Sequence, residues 1–261
     1  MTILDKIIAD KKREVELKKH LISASQLEGF PLFGSATKSL SKNLKNNVLG
    51  IIAEHKRRSP SKPVINQSLS VDEVAMGYQN AGASGISVLT DGKYFGGSLD
   101  DLLLAKAATS IPILRKEFII DEYQLIEAKA YGADVILLIA AVLSREEIKH
   151  LSEFAQSLAL EVLLEVHNEE ELEKSIMPSL DMIGVNNRNL KTFEVSLDFS
   201  KELAPKIPNE FVKVSESGIS HFDAIKELQP YGYQGFLIGE NFMKTDNPEV
   251  ALKEFMNQYE Q

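Results

Sequence analysis

Cysteine and tryptophan are both missing from the 261 residues of this chain. Without thiols, disulfides, thiolate zinc sites and a cysteine nucleophile are excluded together. Long apolar runs are missing too: the longest, Val135 to Leu143, is about half the roughly 20 residues that a membrane helix needs. The N-terminus, MTILDKIIADKKREVELKK, has neither the compact apolar stretch nor the small-residue cleavage site of a signal peptide. It places Leu4, Ile7, Ile8 and Val15 near one helical face, with charges elsewhere, which predicts an amphipathic helix. Basic residues are outnumbered, 29 against 38 acidic, for a net charge of −9. That balance argues against bulk affinity for nucleic acid, and basic residues are not interleaved with aromatics as single-strand grooves require. A pocket's local field can still oppose the global sign, so a small anionic ligand remains compatible. The five histidines (His20, His55, His150, His167, His221) show no metal-ligand spacing, and no GxSxG elbow is present.

What remains is the composition of an ordinary globular protein, 44% hydrophobic and 26% charged. By surface scaling, a chain of this mass buries roughly three quarters of its unfolded surface. From Val48 onward, short β-rich runs alternate with longer helical patterns. Strands are predicted at 49–53, 86–89, 112–114, 135–138, 162–164, 182–184, 211–214 and 236–238. Helices are predicted at 71–81, 99–108, 122–131, 145–159, 169–175, 197–204, 221–228 and 249–256. A βα unit repeated eight times implies a parallel sheet with helices outside. LGIIA, VILLI and GFLIG are continuously apolar, as strands covered on both faces should be. Eight units in about 215 residues fit a closed (β/α)8 TIM barrel. A dinucleotide fold would need GxGxxG after its first strand, and EHKRRSPSK stands there instead. No linker divides the chain, so residues 1–261 are expected to form one domain, with residues 1–47 as an N-terminal helical extension.

In such a barrel the chemistry sits at the C-terminal ends of the strands. Those ends read Glu54-His55-Lys56, Arg115-Lys116-Glu117, Glu165, Asn186-Asn187-Arg188, Ser215-Glu216-Ser217-Gly218 and Gly239-Glu240. Polar groups at so many ends, converging on one mouth, exceed what solubility requires. Two features point to an anion. Lys56, Arg57, Arg58 and Lys62 concentrate positive charge in an acidic protein. A solvated basic loop accounts for Arg57, Arg58 and Lys62, whereas Lys56, two residues after Glu54, can face the mouth beside it. Ser217-Gly218 and Gly239 follow the last two strands, where this barrel usually cradles phosphate. Ser220, with Asp223 three residues on, is the expected cap of the next helix. Lys116 and Glu165 are candidates for proton transfer, although an ion pair serving stability alone would use the same two residues. Phe118, Phe193 and Tyr94, near predicted loop starts, are candidates for an aromatic slot.

The segments IIAEHKRRSPSK, SVLTDGKYFGGSLDDL, PILRKEFIIDEYQLIEAKAYGADVILLI, LLEVHNEEEL, IGVNNRNL, VSESGIS and GFLIGENFMK together resemble the indole-3-glycerol-phosphate synthase family over about 210 residues. The resemblance implies ring closure, with loss of CO2 and water, of 1-(2-carboxyphenylamino)-1-deoxyribulose 5-phosphate, a carboxy-lyase step of tryptophan biosynthesis. It makes Lys116 the general acid, Glu165 its carboxylate partner and Glu54 a further catalytic carboxylate. Lys56 would meet the substrate carboxylate with Ser59 nearby, and Phe118 would wall the anthranilate pocket. Asn186, Arg188, Glu216 and Ser217 would bind substrate, and Ser217, Gly218, Gly239 and the N–H of Glu240 would cradle the phosphate. The extension is expected to pack across the barrel and cover the site.

The loop usually reading EIKxxSPSKG carries His55 and Pro63 here, and Asn241 stands where Ser or Ala is common. None of these removes a catalytic group. No step requires a metal or cofactor. A cytoplasmic, monomeric enzyme is expected, taking an anionic substrate with an aryl carboxylate and a sugar phosphate, and engaging neither membrane nor nucleic acid. Phosphoribosylanthranilate isomerase, a competing barrel, would be expected to use a Cys/Asp pair, and the chain has no cysteine. A non-catalytic phosphate-binding barrel predicts a damaged acid–base set, and both Lys116 and Glu165 are present.

Overall fold

The computed structural model describes residues 2–189, 192 and 194–259. Phe193 therefore lies outside the described residues. Eight strands, β1 (Gly50–His55), β2 (Gly85–Leu89), β3 (Ile113–Lys116), β4 (Val135–Ile139), β5 (Glu161–Val166), β6 (Met182–Asn186), β7 (Val212–Glu216) and β8 (Tyr233–Ile238), pair in parallel and in chain order. β1 closes on β8 through Ile51 opposite Phe236. The fold is a (β/α)8 TIM barrel.

Every predicted strand exists, and most run further than their apolar stretch. β1 continues through Glu54 and His55, β3 through Lys116, β5 through Glu165 and β7 through Glu216. Backbone pairing does not require apolar side chains, so the ladder carries these polar residues into the rim: Lys116 pairs with Leu89 and Glu216 with Asn186.

The outer helices are α4 (Val71–Asn80), α6 (Leu99–Ala108), α7 (Glu122–Ala130), α8 (Arg145–Ser157), α9 (Glu169–Ser175), α10 (Asp198–Leu203), α11 (Phe222–Leu228) and α13 (Pro248–Asn257), with the short α5 (Gly92–Phe95) and α12 (Glu240–Met243) in loops at the mouth. Side-chain caps start most of them: Asp121 caps α7, Ser144 caps α8 in a capping box, and Asn168 caps α9. α11 departs from expectation. Its N-cap is His221 and makes no side-chain bond. Ser220 is occupied in the preceding turn, where its N–H donates to the Gly218 carbonyl and its own carbonyl accepts from Asn241 Nδ2.

The extension consists of α1 (Ile3–Leu21), α2 (Ala24–Glu28) and α3 (Leu40–Asn46). α1 lies at the mouth, where Ile3, Leu4 and Ile7 border the central cavity. The chain then descends along α7, with Val15 and Leu27 packed on Tyr123, Ile126 and Ala130. α3 stops the opposite end, where Leu40 and Leu44 join the barrel interior of Ile52, Leu114, Val135, Leu163, Met182, Val212 and Val214. Glu161 at the start of β5 fixes α3 by accepting from the Leu40 and Ser41 backbone N–H groups at 2.8 and 3.0 Å.

One prediction for α1 is corrected. Its buried stripe is Ile7, Lys11 and Val15, so a charge sits in the middle of the face expected to be apolar. Lys11 is tolerated there because Glu14, Glu117 and Asp91 lie 2.8, 3.0 and 3.1 Å from its ammonium.

Candidate active site

A cavity of about 620 Å³ opens at the C-terminal ends of the strands. Glu54, Lys56, Ser59, Lys116, Phe118, Glu165, Asn186, Arg188, Glu216, Ser217, Gly218, Gly239 and Glu240 all line it. The sequence-predicted residues are thus brought to one rim. Within the strand ends some neighbours turn away, as strand alternation requires, although Glu117, next to Lys116, also borders the cavity. Arg115 faces outward to Glu127 at 2.6 Å, and buried Asn187 bonds Ser215, Ser200 and the Ser217 carbonyl.

Lys116 is the electrostatic centre. Its Nζ lies 2.5 Å from Glu216 Oε2, 3.8 Å from Glu165 Oε2 and 3.9 Å from Glu54 Oε2. Burial disfavours its charge, but Glu216, Glu54 and Glu165 outweigh that cost and hold the ammonium above the ordinary lysine range. The partner expected from sequence was Glu165; the closest is Glu216. Burial, together with the negative charges of Glu165 and Glu54, pushes Glu216 up to about 7 against the pull of Lys116. Among the described residues its Oε1 accepts no hydrogen bond.

Glu54 is paired with Lys56, Nζ to Oε1 2.7 Å. Burial opposes its ionisation, yet Lys56 and Lys116 hold its carboxyl below the usual range. Two glycines make room for these carboxylates. A Cβ on Gly239 would stand 2.5 Å from Glu54 Oε1, and one on Gly184 would stand 2.4 Å from Glu216 Oε1.

Arg57 and Arg58 correct the picture of a solvated basic loop. Arg57 grips Asp101 with two bonds of 2.6 and 2.7 Å, and Arg58 donates to the Gly92 and Lys93 carbonyls. Lys62 reaches Glu240 at 2.8 Å, joining the first loop to the last. The loop bearing Lys56 and Ser59 is therefore held in place despite Pro63.

The apolar wall is formed by Phe118 with Phe95, ring centroids 6.0 Å apart, together with Leu89, Leu137 and Ile139. Tyr94 does not join it, because its hydroxyl donates to Asp10 of α1. Phe95 and Lys244 line the cavity without having been singled out from sequence. Opposite the apolar wall, Ser217, Gly218, Ser220, Gly239, Glu240 and Asn241 form a rim of small and polar groups, interrupted by Ile219 and Ile238. Ser217 and Gly218 there take consecutive left-handed conformations, φ 66° and 79°. For serine this conformation costs energy, and it bends the chain sharply as β7 ends. Asn241 links this turn to the next by its bond to the Ser220 carbonyl.

The arrangement pairs a cationic acid and several carboxylates with a flat apolar wall and a glycine-rich rim. It suits an elongated ligand, aromatic at one end and anionic at the other. The sequence profile described as "Indole-3-glycerol phosphate synthase" matches residues 4–255. An indole-3-glycerol phosphate synthase of Bacteroides thetaiotaomicron is 50% identical over 254 residues, covering 97% of each chain. One from Aliarcobacter butzleri is 42% identical over 259 residues, covering 98% of each. Among solved structures, KGPDC from Streptococcus mutans aligns with a TM-score of 0.62 at 13% identity, over 82% of this chain and 98% of that one. The N-acetylmannosamine-6-phosphate 2-epimerase of Clostridium perfringens aligns with a TM-score of 0.62 at 14% identity, over 86% of this chain and 100% of that one. At such identities the structural likeness speaks for the barrel alone.

Proposed function

The chain belongs to the indole-3-glycerol phosphate synthase family, and from that premise we propose that the cavity closes the indole ring of 1-(2-carboxyphenylamino)-1-deoxyribulose 5-phosphate, releasing CO2 and water. The observation that carries the reading is the Lys116 ammonium held among Glu216, Glu165 and Glu54 beside an aromatic wall. The aryl ring packs on Phe118, and its carboxylate meets Lys56 in competition with Glu54. The phosphate occupies the rim of Ser217, Gly218, Gly239 and the N–H of Glu240, with Arg188 close by. Ser59, Asn186 and Glu216 complete the contacts. The family points to a small phosphorylated substrate; its aryl carboxylate end is part of this proposal.

In the first step the ring carbon bearing the carboxylate attacks the ketone carbon. Negative charge builds on the ketone oxygen, and Lys116 transfers a proton to it. That interaction strengthens as the charge develops, so it favours the transition state over the bound substrate. The bond to the carboxylate carbon then breaks, CO2 leaves, and its electron pair restores the ring. The remaining hydroxyl departs as water after gaining a proton, while the adjacent carbon loses one. Glu165 is assigned the acceptance of that proton. Glu54 holds Lys56 and Lys116 in place. Residues 1–47 belong to the same domain, and α1 shields this chemistry from water at the cavity edge. The enzyme is read as a cytoplasmic monomer that binds neither nucleic acid nor membrane.

The direct test is incubation of the purified protein with the carboxyphenylamino substrate while following indole fluorescence. A rise that tracks CO2 release supports the assignment; a substrate left unchanged rejects it.

A further inference from the structure

Glu165 has a buried histidine beside it. His167 lies just beyond β5, its side chain is 8% exposed, and it does not border the cavity. The imidazole sits between two carboxylates. Its Nε2 is 3.3 Å from Glu165 Oε1, and its Nδ1 is 3.1 Å from Glu171 Oε2. Glu171, in the first turn of α9, is itself fixed. Its Oε2 also accepts the backbone N–H of His167 at 2.8 Å, and its Oε1 accepts from Asn168 Nδ2 at 3.0 Å. The ring cannot turn away without giving up the Nδ1 contact. Among the described residues the buried Nε2 has no hydrogen-bond partner, so rotation of the Glu165 carboxylate toward it would satisfy both groups. Bonds of this kind often tighten only when substrate is bound.

We infer that His167 is a positioning residue for the ring-closing reaction, holding Glu165 in its working orientation and taking up the proton that Glu165 accepts. The inference rests on the proton-accepting role proposed above for Glu165. In the step itself, Glu165 gains a proton from the substrate carbon and its new O–H donates to Nε2 of the neutral imidazole. Transfer to Nε2 gives an imidazolium flanked by two carboxylates and returns Glu165 to its ionised form. The Nδ1–H stays on Glu171 throughout. The charged groups around the ring favour this exchange: Glu165 on β5, Glu171 on α9 and Glu216 on β7, with Lys116 on the far side of Glu165. Burial works against a charged imidazole, but the Glu171 bond and the Glu165 and Glu216 charges outweigh it and hold the ring above the ordinary histidine value. The ring that accepts the proton is therefore its neutral form, and turnover falls as pH drops and that form is lost.

The test titrates the His167 ring by NMR in the ligand-free protein, comparing the unaltered chain with Glu165→Gln and Glu171→Gln. The ring should titrate above about 6.5 in the unaltered chain, and each substitution should lower it by about half a unit or more. In parallel, His167→Gln should lose about tenfold or more in kcat, with KM within about threefold and an unchanged melting temperature. A titration unmoved by Glu165→Gln, or a His167→Gln enzyme with full kcat, overturns the inference. If His167→Gln does not fold, the two glutamate titrations decide the matter. Full turnover by Glu165→Gln instead removes Glu165 as proton acceptor and this inference with it. A dead Glu165→Gln enzyme beside an unaffected His167→Gln enzyme removes only the role of His167.

Discussion

Lys11 of α1 lies 3.0 Å from Glu117, the residue that follows Lys116 at the end of β3. The same oxygen of Glu117 accepts the backbone N–H of Phe118 at 2.8 Å, and its other oxygen accepts from Thr90 at 2.8 Å. The extension thereby reaches, through one carboxylate, the backbone of the aromatic wall and the segment that presents the proposed acid.

Replacing Lys11 by methionine takes away the cation that buried Asp91 and Glu117 share, while Glu14 keeps Lys18 at 3.1 Å and Glu117 keeps Arg115 at 3.8 Å. Breaking a buried pair in this way costs about 3 kcal/mol or more. Denaturant unfolding should show that loss, and KM should rise because Phe118 is no longer held. A change below about 1 kcal/mol with unaltered KM would show the cluster to be energetically idle.

For Lys116→Met, turnover should fall at least about 100-fold while substrate affinity stays within about tenfold. Single-turnover kinetics and direct binding separate the two effects. Near-normal turnover removes Lys116 from the mechanism.

Gly239→Ala places a methyl group 2.5 Å from Glu54 Oε1. The carboxylate must move, and Lys56, 2.7 Å away, moves with it. KM should rise about tenfold, because the displaced Lys56 is the group proposed to meet the aryl carboxylate. An unchanged KM would show that moving Glu54 does not reach the substrate.

His55 is buried, its Nε2 has no hydrogen-bond partner among the described residues, and burial with the Arg57 charge depresses it to about 4. The unfolded chain therefore binds a proton that the folded chain refuses between about pH 6.5 and 4. Stability is whole above pH 6.5 and is lost as pH falls through that window. His55→Ile removes this penalty. The two proteins should respond to denaturant similarly at pH 7 and differ by about 2 kcal/mol near pH 4.5, the substituted protein being the more stable. Parallel acid sensitivity would assign the loss to other groups.

Much of this molecule could be read directly from its residues. Runs such as VILLI and GFLIG mark strands buried on both faces, and the polar residues that end them fall on one rim because the barrel is parallel. Elsewhere the decisive relationships are distant in the chain. Glu216 stands 100 residues from Lys116, so only the closed sheet reveals it as the closest counterion. Lys11 interrupts an apolar stripe, and its compensation comes from Asp91 and Glu117, which no local pattern connects to α1. α3 (Leu40–Asn46) contributes two leucines to the barrel floor from an otherwise polar heptapeptide, too little for periodicity to register. Ser220 and Asp223 have the spacing of a capping box, but the helix begins one residue later, with His221 as its N-cap, and the backbone of Ser220 is held in the turn by Gly218 and Asn241. His167 looked like an isolated histidine without a metal partner; its neighbours are carboxylates.

The two-ended docking of the extension also imposes a timetable. α1 and α2 find their partner in α7, but α3 contacts β7 and β8, which are translated about 165 to 190 residues after it. At roughly 5–20 residues per second, α3 waits about 8–40 s before its berth exists. The plug of the barrel floor thus docks only once the closing staves of the cylinder have been made.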